Sequence, residues 1–142
     1  MFKRILVALD HSKADESLLP RVKELARLTG AEIVLLHVST GWAAQWQENL
    51  NLSDSQEMKE DREYLHQVSA ALSRENLPVL ARHASGEPAR AILDTAEAEH
   101  CDLIALTTHG HRGLSDLIHG ETIDKVRHES AIPLFVVKAE MG

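Results

Sequence analysis

Short apolar runs alternate with helical patterns along the whole chain. Each run is continuous in its hydrophobicity, which is typical of strands that are buried on both faces of a parallel sheet. Helices between successive strands favour an α/β fold in which helices cover both faces of that sheet. The five predicted strands are Arg4 to Leu9, Glu32 to Val38, Val79 to Ala84, Asp102 to Thr107 and Pro133 to Val137.

The first predicted helix has a clear end and an unclear start. It ends at Gly30, because glycine is favoured just after the last helical residue. Pro20 removes a backbone hydrogen bond and crowds the preceding turn, so the helix either starts near Leu19 or is kinked. Its expected inward face consists of Leu18, Val22, Leu25 and Leu28.

The remaining helices are predicted from capping signals. Ser53-x-x-Gln56 has the pattern of a capping box and opens the second helix, which must end before Pro78. Gly86-Glu87-Pro88 opens the third helix, because proline suits the first helical turn. The fourth helix follows Gly120. The inward residues expected on the last two helices are Ile92, Leu93, Ala96, Ile123 and Val126.

Composition limits the class of protein. The chain has 142 residues, 44% of them hydrophobic, which predicts a single domain over residues 1–142. Asp and Glu outnumber Lys and Arg by 22 to 15, so a nucleic-acid or anionic-membrane surface is not expected. The apolar run at the N-terminus is too short for a signal peptide, and no segment is long enough to span a membrane, so we expect a cytoplasmic protein. Cys101 is the only cysteine, which excludes an intrachain disulfide and a cysteine-cluster metal site.

The loop after the first strand contains polar residues, and two interpretations of it remain open. Asp10 or Ser12 could simply cap the following helix. Alternatively, Asp10 lies at the carboxyl end of a central strand, where open α/β sheets bind their ligands. A carboxylate there suits ribose hydroxyls or a divalent ion beside phosphates.

The stretch from Leu103 to Val137 reads as a buried strand, a glycine-containing loop and a helix start. Backbone N–H groups beside the positive end of a helix dipole hold phosphates without needing a metal or a lysine. We therefore expect an anion site in this loop. Its histidines, His109, His111 and His119, lack a cysteine partner and helical spacing, so no metal site of the protein's own is expected. His37, at the end of an apolar strand, is expected to be a core residue and not a ligand.

Two tryptophans, Trp42 and Trp46, follow the second strand. On a helix they would form one apolar patch. They are expected to pack in the core or in a lid, with a partner surface or an adenine cover as the alternative.

Several segments together resemble the universal stress proteins, and the resemblance covers nearly the whole chain. These segments are K-R-I-L-V-A-L-D-H-S, I-V-L-L-H-V, G-E-P-A-R-A-I-L, T-H-G-H-R-G-L-S-D-L-I-H-G-E-T and I-P-L-F-V-V-K. The resemblance implies a doubly wound five-stranded parallel sheet of strand order 3-2-1-4-5, similar to the adenine nucleotide α-hydrolases. It also implies a homodimer formed by the last strand, here Leu134 to Lys138.

The resemblance further implies an adenine-nucleotide site, for ATP or AMP with Mg²⁺. Many members bind ATP through a glycine, two residues, a glycine, nine residues, and a glycine followed by serine or threonine. Gly110 and Gly120 match this pattern, whereas Thr107 and Glu121 depart from it. The implied binding residues are Ala8, Leu9, Asp10, Val38, Thr107, His109, Gly110, Arg112, Gly113, Gly120, Glu121 and Thr122. In that set, Asp10 is the acidic residue of the first loop, and could hold Mg²⁺ with the nucleotide, while the Val38 backbone meets the adenine edge.

Glu121 has physical consequences for this site. The helix dipole stabilises a carboxylate in a first turn by roughly 0.3–1 kcal/mol, so Glu121 could occupy the phosphate position itself. The Glu121 carboxylate would repel the terminal phosphates of a bound nucleotide by about 4 kcal/mol if the charges lay ~4 Å apart at an effective dielectric of ~20. Mg²⁺, the Thr122 hydroxyl, or the cations of Arg112, His111 and His119 could offset this repulsion.

These observations predict a small regulatory or sensing protein of the stress response with a degenerate nucleotide site. No catalytic residues are recognisable, although weak ATPase activity stays open. One alternative is a dimeric interaction module without nucleotide, its site closed by Glu121. The other is an adenine-nucleotide hydrolase, but the S-G-G-x-D-S type of loop expected for that class is absent.

Overall fold

The computed structural model describes residues 1–40, 52–108 and 120–140. The strands are β1 (Arg4–Leu9), β2 (Glu32–Thr40), β3 (Val79–Gly86), β4 (Leu103–Thr108) and β5 (Leu134–Lys138). The helices in these ranges are α1 (Asp15–Thr29), α2 (Leu52–Arg74), α3 (Pro88–Ala98) and α4 (Gly120–Glu129). None of these helices is long and apolar enough to cross a membrane.

The strands form one parallel sheet in the order β3-β2-β1-β4-β5. This confirms both the α/β class and the strand order that the resemblance implies. The predicted strand bounds are close to those observed. β2 and β3 run two residues further than predicted, and β4 and β5 are each shifted by one residue.

The core lies on both faces of the sheet. Ile5, Val7 and Leu9 pack on one face, whereas Leu6 and Ala8 pack on the other, because successive strand side chains alternate. The buried helix residues on the first face are Leu18, Val22 and Ala26 of α1 and Leu65 and Leu72 of α2. Those on the second face are Ala89, Ile92, Leu93 and Ala96 of α3 and Val126 of α4. Each large side chain buried in this way contributes about 1.5–3 kcal/mol.

α1 differs from its prediction in two respects. It begins at Asp15 and runs through Pro20, so a start near Leu19 is wrong. Pro20 is exposed, and water can replace the one hydrogen bond that its missing N–H would have donated. Leu28 is 84% exposed and is not part of the inward face. It lies about 200° around the helix axis from the buried Ala26.

The starts of α2 and α3 also test the capping signals. α2 begins at Leu52, one residue before Ser53. α3 begins at Pro88 as predicted, with Glu87 as the residue that caps it. The Glu87 carboxylate accepts hydrogen bonds from the amides of Ala89 and Arg90, at 3.0 and 3.1 Å.

Asp102 joins the start of β4 to the start of β1. Its carboxylate accepts hydrogen bonds from the amides of Lys3, at 2.9 and 3.1 Å, and Arg4, at 3.0 Å. Burial raises the pKa of Asp102, but the hydrogen bonds from the Arg4 and Lys3 amides outweigh it and hold that pKa below its usual value. The ionised form therefore stabilises the folded state.

We predict that Asp102→Asn lowers the free energy of unfolding at neutral pH by about 1–2 kcal/mol. The new amide group would place a donor against backbone donors. A carboxyl whose folded pKa is depressed stabilises the fold above its unfolded pKa, and this stabilisation is lost as the pH falls through the folded pKa. In urea unfolding, the difference in unfolding free energy between wild type and variant should therefore be full above pH 3.8. It should shrink as the pH falls through the lower pKa that Asp102 has in the folded state. Asp124→Asn, at an exposed ion pair, is the control. A difference that does not change with pH would contradict this account.

Candidate functional site

The sheet opens between β1 and β4 at its carboxyl edge. Their pairing ends at Val7 and Ala105, two residues before β1 ends and three before β4 ends. β1 stays paired with β2 as far as Leu9 and His37, and β4 stays paired with β5 as far as Thr108 and Lys138. The crevice between β1 and β4 is the point where the strand order reverses, and open α/β sheets bind ligands at such points.

Two buried polar residues lie at the strand ends beside this crevice: Asp10 directly follows β1, and Thr107 is the last residue but one of β4. Asp10 is 4% exposed and Thr107 is fully buried. The Thr107 hydroxyl has no hydrogen-bond partner within the described part of the chain. A buried hydroxyl normally has a hydrogen-bond partner, which can be another protein group, water or a ligand. Asp10 accepts a hydrogen bond of 2.5 Å from the Ser12 hydroxyl.

The Ser12 hydroxyl caps the turn that leads into α1, whereas Asp10 does not, so the capping interpretation holds for Ser12 alone. The residue before the helix is Ala14, and no side chain accepts a hydrogen bond at the cap position. The Ser12 hydroxyl instead accepts from the Ala14 amide at 3.2 Å and donates to Asp10. Both side chains therefore order the loop that leads into the helix.

Asp15 organises this loop and was not singled out from the sequence. Its carboxylate is 1% exposed and accepts hydrogen bonds from the amides of Asp10 and His11, at 2.8 and 2.9 Å. It also accepts one from the Tyr64 hydroxyl at 2.6 Å. Burial raises the pKa of Asp15, and these hydrogen bonds oppose that rise. The only sequence signal was an acidic residue in the first turn of a helix, which is common without any such role.

The remaining residues implied for a nucleotide site lie in several places. Ala8, Leu9 and Val38 are buried at the ends of β1 and β2. Glu121 is exposed in the first turn of α4, and Thr122 beside it is 4% exposed. The other residues named from the sequence lie outside the described residues: Trp42, Trp46, His109, Gly110, His111, Arg112, Gly113 and His119.

A second polar cluster lies under α2 at the carboxyl ends of β2 and β3. We call it the histidine cluster, and it consists of His11, His37, Ser39, Asp61 and His83. Asp61 contacts three of the others: His11 Nδ1 at 2.6 Å, His37 Nε2 at 3.3 Å and Ser39 Oγ at 3.2 Å. Ser39 Oγ lies 2.7 Å from His83 Nε2. His37 is buried as expected, at 2% exposure, but its surroundings are polar.

This cluster contains serine, histidine and aspartate, but their contacts differ from those of a hydrolytic triad. In a triad the carboxylate bonds the histidine ring, and that ring takes the proton of the serine. Here the Asp61 carboxylate accepts directly from Ser39, whose hydroxyl also meets His83. The carboxylate therefore does not orient His83 toward the serine.

The chain belongs to the universal stress protein family, whose family model matches residues 1–138. Universal stress protein YxiE of Bacillus subtilis is 26% identical over 148 residues, which covers 97% of this chain and all of that protein. Universal stress protein MJ0577 of Methanocaldococcus jannaschii is 26% identical over 155 residues, covering 97% of this chain and 96% of that protein. The solved structure of MJ0577 superposes with a TM-score of 0.82, covering 100% of this chain and 99% of that one.

Two solved universal stress proteins that share the fold are nucleotide complexes. One is from Archaeoglobus fulgidus in complex with dAMP, at 21% identity and a TM-score of 0.69, covering 96% of this chain and 98% of that one. The other is in complex with cAMP, at 15% identity and a TM-score of 0.68, covering 98% of each chain. At these identities the likeness concerns the fold.

We predict that Asp15→Asn lowers the free energy of unfolding by about 1–3 kcal/mol, because its amide group would face buried donors. Tyr64→Phe removes one of the three donors and should cost about 1 kcal/mol. Chemical denaturation measures both effects. Asp94→Asn, which breaks an exposed ion pair on α3, should change stability by less than about 0.5 kcal/mol. Equal effects of Asp15→Asn and Asp94→Asn would contradict the role given to Asp15.

Proposed function

We propose that this protein is a small cytoplasmic regulatory or sensing protein of the stress response that binds an adenine nucleotide without turning it over. The single observation that carries the proposal is the crevice where β1 and β4 part. Membership of the universal stress protein family and the two nucleotide complexes among similar folds support it.

The residues around the crevice suit a nucleotide. The Asp10 carboxylate matches ribose hydroxyls or Mg²⁺ beside phosphates, and the Thr107 hydroxyl is a buried polar group that a ligand could satisfy. The first turn of α4, at Gly120 and Thr122, offers backbone amides and a positive dipole end to phosphates. The Val38 backbone would meet the adenine edge.

Glu121 bears on which nucleotide is preferred. A carboxylate that filled the phosphate position would lose most of its exposed surface, but Glu121 is exposed. We therefore favour a site that is open over a module closed by Glu121. The negative charge still repels terminal phosphates, and this repulsion grows with the number of phosphate charges. AMP should accordingly be favoured over ATP.

We predict that Glu121→Ser strengthens ATP binding more than tenfold, about 1.4 kcal/mol, and strengthens AMP binding less. The reason is that the substitution removes a like charge near the terminal phosphates. Isothermal titration calorimetry with ATP, AMP and cAMP, with and without Mg²⁺, measures these affinities. Glu97→Ser, at an exposed position of α3, is the matched control.

A further variant, Thr107→Val, locates the site in the same titrations. It keeps the shape of the side chain but removes the buried hydroxyl, so it should weaken nucleotide binding while the protein stays folded. Absence of binding in both the wild type and Glu121→Ser would overturn the nucleotide proposal. That result would favour the dimeric interaction module.

We also propose that the protein is a homodimer through Leu134 to Lys138. β5 is an edge strand of the sheet, and an uncovered edge offers backbone groups to a second chain. Val136 on this strand is 44% exposed, so its side chain is available for contact with a second chain.

We predict that Val136→Glu converts the dimer to a monomer, because two like charges would meet across the paired strands. Size-exclusion chromatography with light scattering measures the mass directly. Leu28→Glu is the control, since Leu28 is a large apolar residue exposed on α1, away from β5. If both variants keep the wild-type mass, the interface lies elsewhere or the protein is a monomer.

A further inference from the structure

We propose that His11, His37 and Asp61 form a binding site for a divalent transition-metal ion such as Zn²⁺. The site lies between β1, β2 and α2 and is separate from the residues that the nucleotide proposal uses. Imidazole nitrogens and a carboxylate are the ligand types that Zn²⁺ takes in proteins.

The three ligands already lie close together. His11 Nδ1, His37 Nε2 and an Asp61 carboxylate oxygen all lie within 4.8 Å of one another. Ligand bonds of about 2.0–2.2 Å in a tetrahedron place ligand atoms about 3.3 Å apart. His11 Nδ1 lies 2.6 Å from one Asp61 oxygen and His37 Nε2 lies 3.3 Å from the other, so the first contact is shorter than that spacing and the second equals it. Small side-chain movements would therefore complete the geometry.

The surroundings of His37 argue for a cation between the ligands. Its Nδ1 lies 3.3 Å from the Leu9 carbonyl, which can only accept, so Nδ1 carries the hydrogen. The other ring nitrogen, Nε2, lies 3.3 Å from the Asp61 carboxylate, so a cation lies between the two groups, either a metal ion or a second ring proton. An imidazole held by a backbone carbonyl on its other nitrogen is also the usual setting of a metal-bound histidine.

Asp61 is held in place by the rest of the cluster. The Ser39 hydroxyl has one hydrogen, and its 3.2 Å contact with Asp61 uses it. Ser39 Oγ must then accept from the Nε2–H of His83 at 2.7 Å. His83 therefore supports the site through Ser39 and is not a ligand itself. Three protein ligands leave a fourth position for water or another group.

The backbone of His11 is unusual and directs its ring to this place. Its φ is 57°, a left-handed conformation that non-glycine residues rarely adopt. The amide of His11 is held by Asp15, and its ring stacks on Tyr64 with centroids 4.1 Å apart. The side chain of His11 is 34% exposed, so an ion can reach the site from solvent.

The test is a Zn²⁺ titration of the full-length protein after treatment with a chelator, without nucleotide. His109→Gln, His111→Gln and His119→Gln are combined as the background, because the loop histidines could bind the ion independently. Calorimetry should give one Zn²⁺ per chain in this background. Co²⁺ in place of Zn²⁺ should give the visible absorption of a tetrahedral site.

Two variants added to that background should each weaken Zn²⁺ binding at least tenfold. His11→Gln changes a partly exposed side chain, and Asp61→Asn keeps the shape of the carboxylate while removing its charge; circular dichroism checks that both are folded. His66→Gln, at an exposed position of the same helix as Asp61, should leave the affinity unchanged. Absence of binding in the background, or equal affinities of all four proteins, would overturn the proposal. The cation between His37 and Asp61 would then be a proton.

Discussion

The Asp15 carboxylate is the contact on which both candidate sites depend. It accepts from two consecutive amides after β1 and from the hydroxyl of Tyr64, so it joins the end of the central strand to α1 and α2. Almost complete burial makes these hydrogen bonds strong and makes the loss of any one of them costly. These bonds tie the backbone of the loop between β1 and α1 to the two helices at Asp10 and His11.

Two neighbouring residues of that loop lie at different candidate sites. Asp10 is buried beside the crevice between β1 and β4, whereas His11 contacts Asp61 and Tyr64 of α2. The left-handed backbone of His11 makes this division possible. A ligand at either site would act on the same few backbone bonds.

The fold was largely predictable because each strand is buried on both faces. Five continuous apolar runs separated by helical patterns are typical of the strands of a parallel sheet. Periodicity contains no information on strand order, which came from the resemblance and was confirmed. Pro20 and Leu28 were misjudged for local reasons. Water can replace a missing hydrogen bond at an exposed helix face. The buried apolar residues of α1 repeat every four positions up to Ala26, and Leu28 lies outside that stripe.

The amino-acid order alone was sufficient to place Asp10 and Thr107 at strand ends, because a parallel sheet gathers the ends of its strands at one edge. It could not reveal the histidine cluster. His11 lies 50 residues from Asp61, and Ser39 lies 44 residues from His83. No local spacing signals such contacts, since they exist only after α2 packs across β2 and β3. The parting of β1 and β4 likewise depends on hydrogen bonds between strands that are distant in the chain, and only the folded sheet determines where those bonds end.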